Sequence, residues 1–326
     1  MRRALFASQF IAICSSIGIN LGNVLEAPRE GDWAPAAQEE YFSDYKAAGF
    51  QLIRIPVRWD KHTGTSPPFA IDAAFLDRVV TIVGWATSRN LTAIINSHHD
   101  DWMDSEANFS ASLPRFLTIW AQVAARFAAH PVAGGGALRF EVINEPINLT
   151  IASLNALYAA VVPVMRQGGS NGAREIYLGG LSWMSPYWIE KNPDGVAFPP
   201  LAGGGADPHL RLEVHSYDPY AFCLQSPPTQ STWGSPADVK AVDDMYGAMA
   251  SWAASRGRAV LMGECGCQVA APSREGRLAW YKTIGAAQEL LDDGACLWDD
   301  NGSWKIYNRG ERSWDEGVLE AIGLKR

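Results

Sequence analysis

Two glutamates set the chemistry open to this chain. Glu145 stands in Phe140-Glu-Val-Ile-Asn-Glu-Pro146 and Glu264 in Val260-Leu-Met-Gly-Glu-Cys-Gly266, each at the end of an apolar run of strand character. Polar groups gather in the same way around other apolar runs. Arg54 lies in Ile53-Arg-Ile-Pro-Val-Arg-Trp59, His98-His99-Asp100 follow Ile94-Ile-Asn-Ser97, Asn144 adjoins Glu145, and His215 and Tyr217 lie in Val214-His-Ser-Tyr217. A carboxylate carried into such surroundings is costly unless it is paired or its pKa moves. Two carboxyls facing each other across one opening can protonate a leaving oxygen from one side and attack carbon from the other, which is what glycoside cleavage requires. A gap of about 5–5.5 Å gives retention through a covalent intermediate, and one of roughly 6.5–9.5 Å gives inversion.

Taken singly, these residues have plainer readings. Glu145, before a proline, could serve a turn, and Arg54 could pair with any buried acid. His215 and Tyr217 share a strand face by period two and could be polar rim residues. His98-His99-Asp100 looks like a metal-ligand run, but adjacent side chains on a strand diverge and rarely hold one ion, so no metal is expected.

The elements that would bring these groups together are legible. Short apolar runs alternate with longer amphipathic stretches from end to end, the pattern of βα units around a parallel sheet. The expected strands are Ile17–Asn20, Leu52–Val57, Thr92–His98, Leu138–Asn144, Ile176–Gly180, Leu210–Tyr217, Ala259–Gly263 and Gly294–Trp298. Most are near-continuous apolar runs, as strands covered on both faces should be. The clearest helix is Pro114–Ala129, where Phe116, Trp120, Val123 and Phe127 recur at helical spacing behind a proline near the first turn. Others are expected at Pro35–Ala48, Ile71–Ser88, Ile151–Gln167, Pro236–Ser255 and Arg274–Leu291, with long Gly/Pro/Ser-rich loops at Asn192–Pro208 and Leu224–Pro236. The fold class is therefore α/β, a single (β/α)8 TIM barrel over residues 17–326, whose site is built by the loops at the C-terminal strand ends. Residues 1–16 open with Met1-Arg2-Arg3 and run apolar to Cys14, and read as a leader or signal-like remnant. An extracellular or periplasmic enzyme is expected.

Composition narrows the partners. Hydrophobic residues make up 48% and charged residues 19% of the 326, enough for one sizeable core and too little charge for a disordered chain. A formal net charge of −8 without a Lys/Arg cluster opposes nucleic acid, and no stretch reaches the length of a membrane span. Thirteen Trp, ten Tyr and twelve Phe exceed what such a core requires, leaving flat surface to stack on sugars. Trp33, Trp59, Trp85, Trp120 and Trp280 are expected to pack rather than bind. The five cysteines form no CxxC pair and no zinc spacing, and whether any are bridged stays open.

In order and spacing, the segments quoted above, together with Gly18-Ile-Asn-Leu-Gly-Asn-Val-Leu-Glu-Ala-Pro28, Gly263-Glu-Cys-Gly266 and Leu297-Trp298, resemble glycoside hydrolase family 5, the family of many endoglucanases and β-mannanases. The resemblance implies Glu145 as acid/base, Asn144 as partner of the sugar 2-hydroxyl and Glu264 as nucleophile. It implies that Arg54 and Tyr217 hold Glu264 ionised, that His215 sits beside Glu145, and that His98 holds substrate. Trp298 matches the platform beneath the sugar at the cleavage point, followed in the family by a non-proline cis peptide, here to Asp299. Asn23, Glu26 and His99 match polar positions of the cleft, and Trp233 matches an aromatic subsite. One departure is Cys265, where the family usually has an aromatic; strand alternation should turn it away from Glu264 into the packing. The implied protein is a monomeric, cofactor-free, retaining endo-β-1,4-glucanase acting on β-glucan poly- or oligosaccharides. The alternatives are a β-mannanase or a mixed-linkage or xyloglucan-active enzyme. A catalytically silent carbohydrate-binding barrel is a further alternative, against which both glutamates stand.

Overall fold

Eight short runs, too apolar to leave either face in water, become the parallel strands of a closed barrel in the computed structural model, which describes residues 16–324. They are β1 (Ile17–Asn20), β2 (Leu52–Ile55), β3 (Thr92–Ile95), β4 (Leu138–Glu141), β5 (Ile176–Gly179), β6 (Leu210–Ser216), β7 (Val260–Cys265) and β8 (Ala295–Leu297). Each pairs with the next in chain order, and β8 closes on β1 through Ile17↔Ala295 and Ile19↔Leu297. The leader expected over residues 1–16 lies, except for Ser16, outside the described residues.

Around the barrel run α1 (Glu39–Ala48), α2 (Ala73–Thr87), α3 (Phe109–Arg126), α4 (Ile151–Met165), α5 (Leu181–Met184), α6 (Pro186–Lys191), α7 (Tyr220–Cys223), α8 (Pro236–Arg256), α9 (Arg274–Ala287) and α10 (Glu316–Ala321), with a hairpin of β9 (Tyr307–Asn308) and β10 (Ser313–Trp314) before α10. Local chemistry explains their limits. Ser235 caps α8 in a reciprocal box with Asp238, Pro236 takes the first turn, and Gly257 ends the helix at φ 61°. α3 buries Phe116, Ile119, Trp120 and Val123 on one face, as the spacing implied. It starts at Phe109, five residues before the expected proline, so Pro114 lies inside the helix rather than at its mouth.

Strands β2, β3 and β4 stop two or three residues earlier than their apolar runs. Cross-strand backbone bonds persist beyond them, from His98 N–H to Val57 O and from Asn144 N–H to Ser97 O, but the regular ladder is lost where the chain turns into the mouth. α5, α6, α7, α10 and the β9–β10 hairpin are not among the expected elements, because none carries a long periodic pattern. Among the described residues, no helix is long and apolar enough to cross a membrane.

The barrel interior is layered. Near the N-terminal strand ends lie Arg139, Arg211, Glu175 and Asp293, above them an apolar layer of Leu52, Ile94, Tyr177, Leu261 and Cys296, and above that the inward groups Asn20, Arg54, Glu141 and Glu213. Cys223 and Cys267 form a disulfide that ties α7 to the residues after β7. Cys265 is buried and free, directed to the Cys296 carbonyl and away from the cleft, as alternation required.

Candidate active site

At the C-terminal strand ends the barrel opens into a cleft of about 730 Å³, lined by His98, His99, Asn144, Glu145, His215, Tyr217, Glu264 and Trp298 together with Ser182, Trp183, Ser185, Ser216, Asp218, Tyr220, Leu224 and Trp304. A break in register puts the two chemical strands in phase. β6 pairs Val214 with Met262 but His215 with Glu264, so Gly263 is skipped as a bulge and Glu264 swings beside His215.

Arg54 is the hub. Fully buried, it holds Glu141 bidentately through Nε and Nη2 at 2.6 and 2.8 Å, donates Nη1 to Glu264 Oε1 at 2.6 Å and to Asn20 Oδ1 at 3.0 Å, and donates Nη2 to Asn144 Oδ1 at 2.8 Å. Tyr217 donates its hydroxyl to Glu264 Oε2 at 2.6 Å. Both oxygens of Glu264 thus accept from strong donors, the surroundings that suit a carboxylate. Burial, the charge of Glu264 and that of Glu145 hold the Tyr217 phenol well above the usual tyrosine range, so it stays a donor.

Glu145 meets the opposite conditions. Its Oε1 lies 2.8 Å from His215 Nδ1, and among the described residues no arginine pairs with it. Burial and the nearby charge of Glu264 raise its pKa against the pull of His215. His215 is raised to about 10: burial disfavours the imidazolium, but Glu264, Glu145 and Glu213 together overcome it. A carboxyl oxygen of Glu145 and one of Glu264 lie within 4.8 Å of each other.

His98 accepts from Asn96 Nδ2 at Nδ1 (3.0 Å), which assigns its proton to Nε2. Burial and the neighbouring His99, Arg54 and His215 push its pKa well below the usual histidine range, so it is a neutral donor. Its ring lies parallel to Trp298, with centroids 6.3 Å apart. Four residues of the cleft, His99 at φ 60°, Glu145 at φ 47°, Ser182 at φ 57° and Trp183 at φ 59°, hold left-handed backbone, a strain of about 1–3 kcal/mol each that persists chiefly where a side chain must be aimed.

Four expectations are corrected. Glu26 does not line the cleft: it is buried, accepts the backbone N–H groups of Asn23 and Val24, and is raised to about 7 by burial. Its carboxyl closes its own turn. Asn23, at φ 63°, donates to the Asp300 carbonyl at 3.3 Å and also lies off the cleft lining. Trp233 is buried in the hydrophobic core, beside a small cavity it shares with Pro219, Val242 and Met245 and away from the cleft. The Trp298–Asp299 bond is not among the cis bonds of the described residues, which are Pro67–Pro68, Asp218–Pro219 and Ser226–Pro227.

Other residues were not foreseen. Glu141 and Glu213, inside strands, complete the charge cluster; their signal was an acid within an apolar run. Trp183, 60% exposed, and Tyr220, 57% exposed, project into the cleft, and Trp304 packs edge-on against Tyr217. Trp33, expected to pack, is exposed with its ring against His99. Trp59, Trp120 and Trp280 are buried as expected.

Ligand atoms of Glu141, Glu213 and His215 fall within 4.8 Å of one another, as do those of Glu145, His215 and Glu264. Arg54 already contacts Glu141, Glu213 and Glu264, so a cation in either group would meet a guanidinium. The arrangement suits proton transfer and carboxylate attack.

Comparison with known proteins gives a consistent picture. Residues 16–303 match the family model described as Cellulase (glycosyl hydrolase family 5). The chain is 36% identical to Endoglucanase H of Acetivibrio thermocellus over 315 residues, covering 94% of this chain but 32% of that protein. It is 30% identical to Endoglucanase B of Clostridium cellulovorans, covering 94% of this chain and 73% of that one. The endoglucanase Cel5A of Thermotoga maritima superposes with a TM-score of 0.84 at 28% identity over 94% of this chain and 96% of that one, and its structures include complexes with cellobiose and with mannotriose.

Proposed function

The chain belongs to glycosyl hydrolase family 5, the cellulase family, and from that premise we propose that it is a retaining endo-β-1,4-glucanase with Glu145 as acid/base and Glu264 as nucleophile. The observation that carries the reading is the approach of the two carboxyls within 4.8 Å. That approach fits direct attack on the anomeric carbon and is shorter than the roughly 6.5–9.5 Å that an inverting pair keeps for its water.

In the first step Glu264 attacks the anomeric carbon while Glu145 gives its proton to the departing oxygen, forming a glycosyl ester on Glu264. In the second, Glu145, now a carboxylate, takes a proton from the water that attacks the same carbon and releases Glu264. The division of labour follows from the neighbours: Arg54 and Tyr217 bind the anion, and burial beside Glu264 keeps a proton on Glu145. Asn144, its oxygen taken by Arg54, turns its amide N–H groups to the sugar 2-hydroxyl, and His98 offers Nε2–H. Trp298 is the floor, and Trp183 and Tyr220 extend the aromatic surface along the cleft. His99 takes part in substrate binding from the rim.

Endoglucanase relatives favour a β-1,4-glucan as substrate, and the mannotriose complex of the Thermotoga maritima enzyme gives specific support to a second reading, action on β-mannan. The partner is a polysaccharide or its oligosaccharides, met by a monomer. The Cys223–Cys267 bridge favours an oxidising, extracellular or periplasmic destination. Hydrolysis of carboxymethylcellulose, barley β-glucan, xyloglucan and mannan, with the first-formed anomer followed by NMR, tests the assignment. We expect β-glucan cleavage with the β-anomer appearing first; no activity on any β-glucan, or the α-anomer first, would overturn it.

A further inference from the structure

His215 has a second partner, on the side away from Glu145. Its Nε2 lies 3.3 Å from Oε1 of Glu213, two residues back on the same strand and fully buried. We infer that Glu213 is a positioning residue for the acid/base step, fixing His215 as the form that presents an Nδ1–H to Glu145. This rests on the reading of Glu145 as acid/base.

The argument begins with donor counting. A neutral imidazole carries one N–H and an imidazolium two. If Glu213 is a carboxylate, it accepts Nε2–H and His215 is an imidazolium, with Nδ1–H left for Glu145. If Glu213 is protonated, its own O–H donates to Nε2, and the single imidazole proton is again on Nδ1. One proton is shared along the Glu213–His215 edge in either case, and in either case Nδ1–H faces Glu145. The pair behaves as a neutral unit beside the acid. An aspartate that sets the tautomer of a catalytic histidine works by the same logic.

Glu213 Oε1 is shared between His215 Nε2 at 3.3 Å and Arg54 Nε at 3.4 Å. The short contacts of Arg54 go to Glu141 and Glu264, so His215 is the partner with which Glu213 can share a proton. Glu213 Oε2 is buried without a hydrogen-bond partner, an expense a purely structural residue would avoid. Space has also been cleared for it. A Cβ on Gly263, the bulged residue before Glu264, would lie 1.7 Å from Glu213 Oε1, so the register break that aims Glu264 also admits Glu213.

The charges facing the pair support the sharing. Glu213 is faced by Arg54 from β2, Glu141 from β4, Tyr158 from α4 and Cys296 from β8. His215 is faced by Arg54 and Glu141, by His98 after β3, and by Glu145 and Glu264. Burial, and then the charge of Glu141, raise Glu213 to about 7, so it can hold or release the shared proton near neutrality.

The direct test is NMR of histidine-labelled protein, with His215 assigned by loss of its signal in His215→Asn. We expect Nδ1 to carry a proton from about pH 5 to about pH 9. A neutral His215 protonated at Nε2 at pH 7 would overturn the inference, and this measurement needs no folded Glu213 variant. In Glu213→Gln an imidazolium still held by Glu264 and Glu145 loses its counter-charge, which favours loss of the Glu145 proton. The alkaline limb of kcat/KM on cellotetraose should fall by about one pH unit, and kcat/KM at neutral pH by roughly tenfold. Hydrolysis of 2,4-dinitrophenyl β-cellobioside, whose leaving group needs no acid, should hardly change. An unmoved limb, or equal losses on both substrates, would contradict the inference. Glu145→Ala on the same substrates separates the two claims: if it shows no leaving-group dependence, the acid assignment itself fails; if it alone shows that dependence, only the role of Glu213 fails.

Discussion

The barrel holds charge clusters at both ends, and they are built differently. Near the N-terminal strand ends, Arg139 and Arg211 face Glu175 and Asp293, with Tyr177 accepting from Arg139 at 2.6 Å and donating to Asp293 at 3.1 Å. Two cations meet two acids. At the mouth, Arg54 and the titratable His215 face Glu141, Glu145, Glu213 and Glu264. If all four acids were ionised, a net negative charge would remain in a buried space even with His215 protonated, so protons have to be retained. The raised pKa values of Glu145 and Glu213 are where they are kept. Polar groups inside a barrel therefore do not mark a catalytic site by themselves; the excess of acid over cation does.

The comparison breaks first at Glu264. Glu264→Ala should lower kcat by about 10⁴-fold or more while the protein stays folded and binds oligosaccharide. Retained turnover would make the mouth no more special than the opposite end. Next come the two arginine hubs. Arg54→Met should cost about 3–5 kcal/mol in denaturant unfolding, because it strands buried acids, and Arg211→Met should cost less, because Glu175 and Asp293 keep Arg139. Only Arg54→Met should also abolish turnover in the protein that remains folded; equal losses of kcat in both would erase the distinction.

A pH profile sharpens the contrast further. Because the pKa of Glu145 is raised in the folded enzyme, the alkaline limb of kcat/KM should lie above the range of an ordinary carboxylic acid. A limb near pH 4.5 would mean that Glu145 is not held protonated. The smallest effect is expected at Trp183. Trp183→Ala should remove about 0.5–1.5 kcal/mol of stacking from long cello-oligosaccharides and nothing from an aryl cellobioside, as compared by kcat/KM.

Much of this was legible in sequence, for identifiable reasons. All eight strands were expected, because doubly covered strands must be continuous apolar runs. β1 was read to the residue, whereas β2, β3 and β4 were read too long, because apolar residues continue into the mouth after the ladder ends. Glu145, Glu264, Arg54, His215 and Tyr217 were found together, since each breaks or ends such a run. Glu141 and Glu213 were passed over: an acid in mid-strand shows its meaning only when the closed barrel points β4 and β6 at the arginine of β2. Trp183 and Tyr220 follow from short left-handed and one-turn segments that have no periodicity to read. Glu26 and Trp233 were misplaced because a motif gives a position along the chain, while the turn around it decides whether the side chain faces the cleft or the packing.

The asymmetry of Glu145 and Glu264 can be tested most directly by trapping. Incubation with 2,4-dinitrophenyl 2-deoxy-2-fluoro-β-cellobioside, followed by peptide mass spectrometry, should show one fluorocellobiosyl group esterified to Glu264. A label on Glu145 would invert the assignment of the two acids, and enzyme that hydrolyses β-glucan yet forms no adduct would contradict the covalent mechanism.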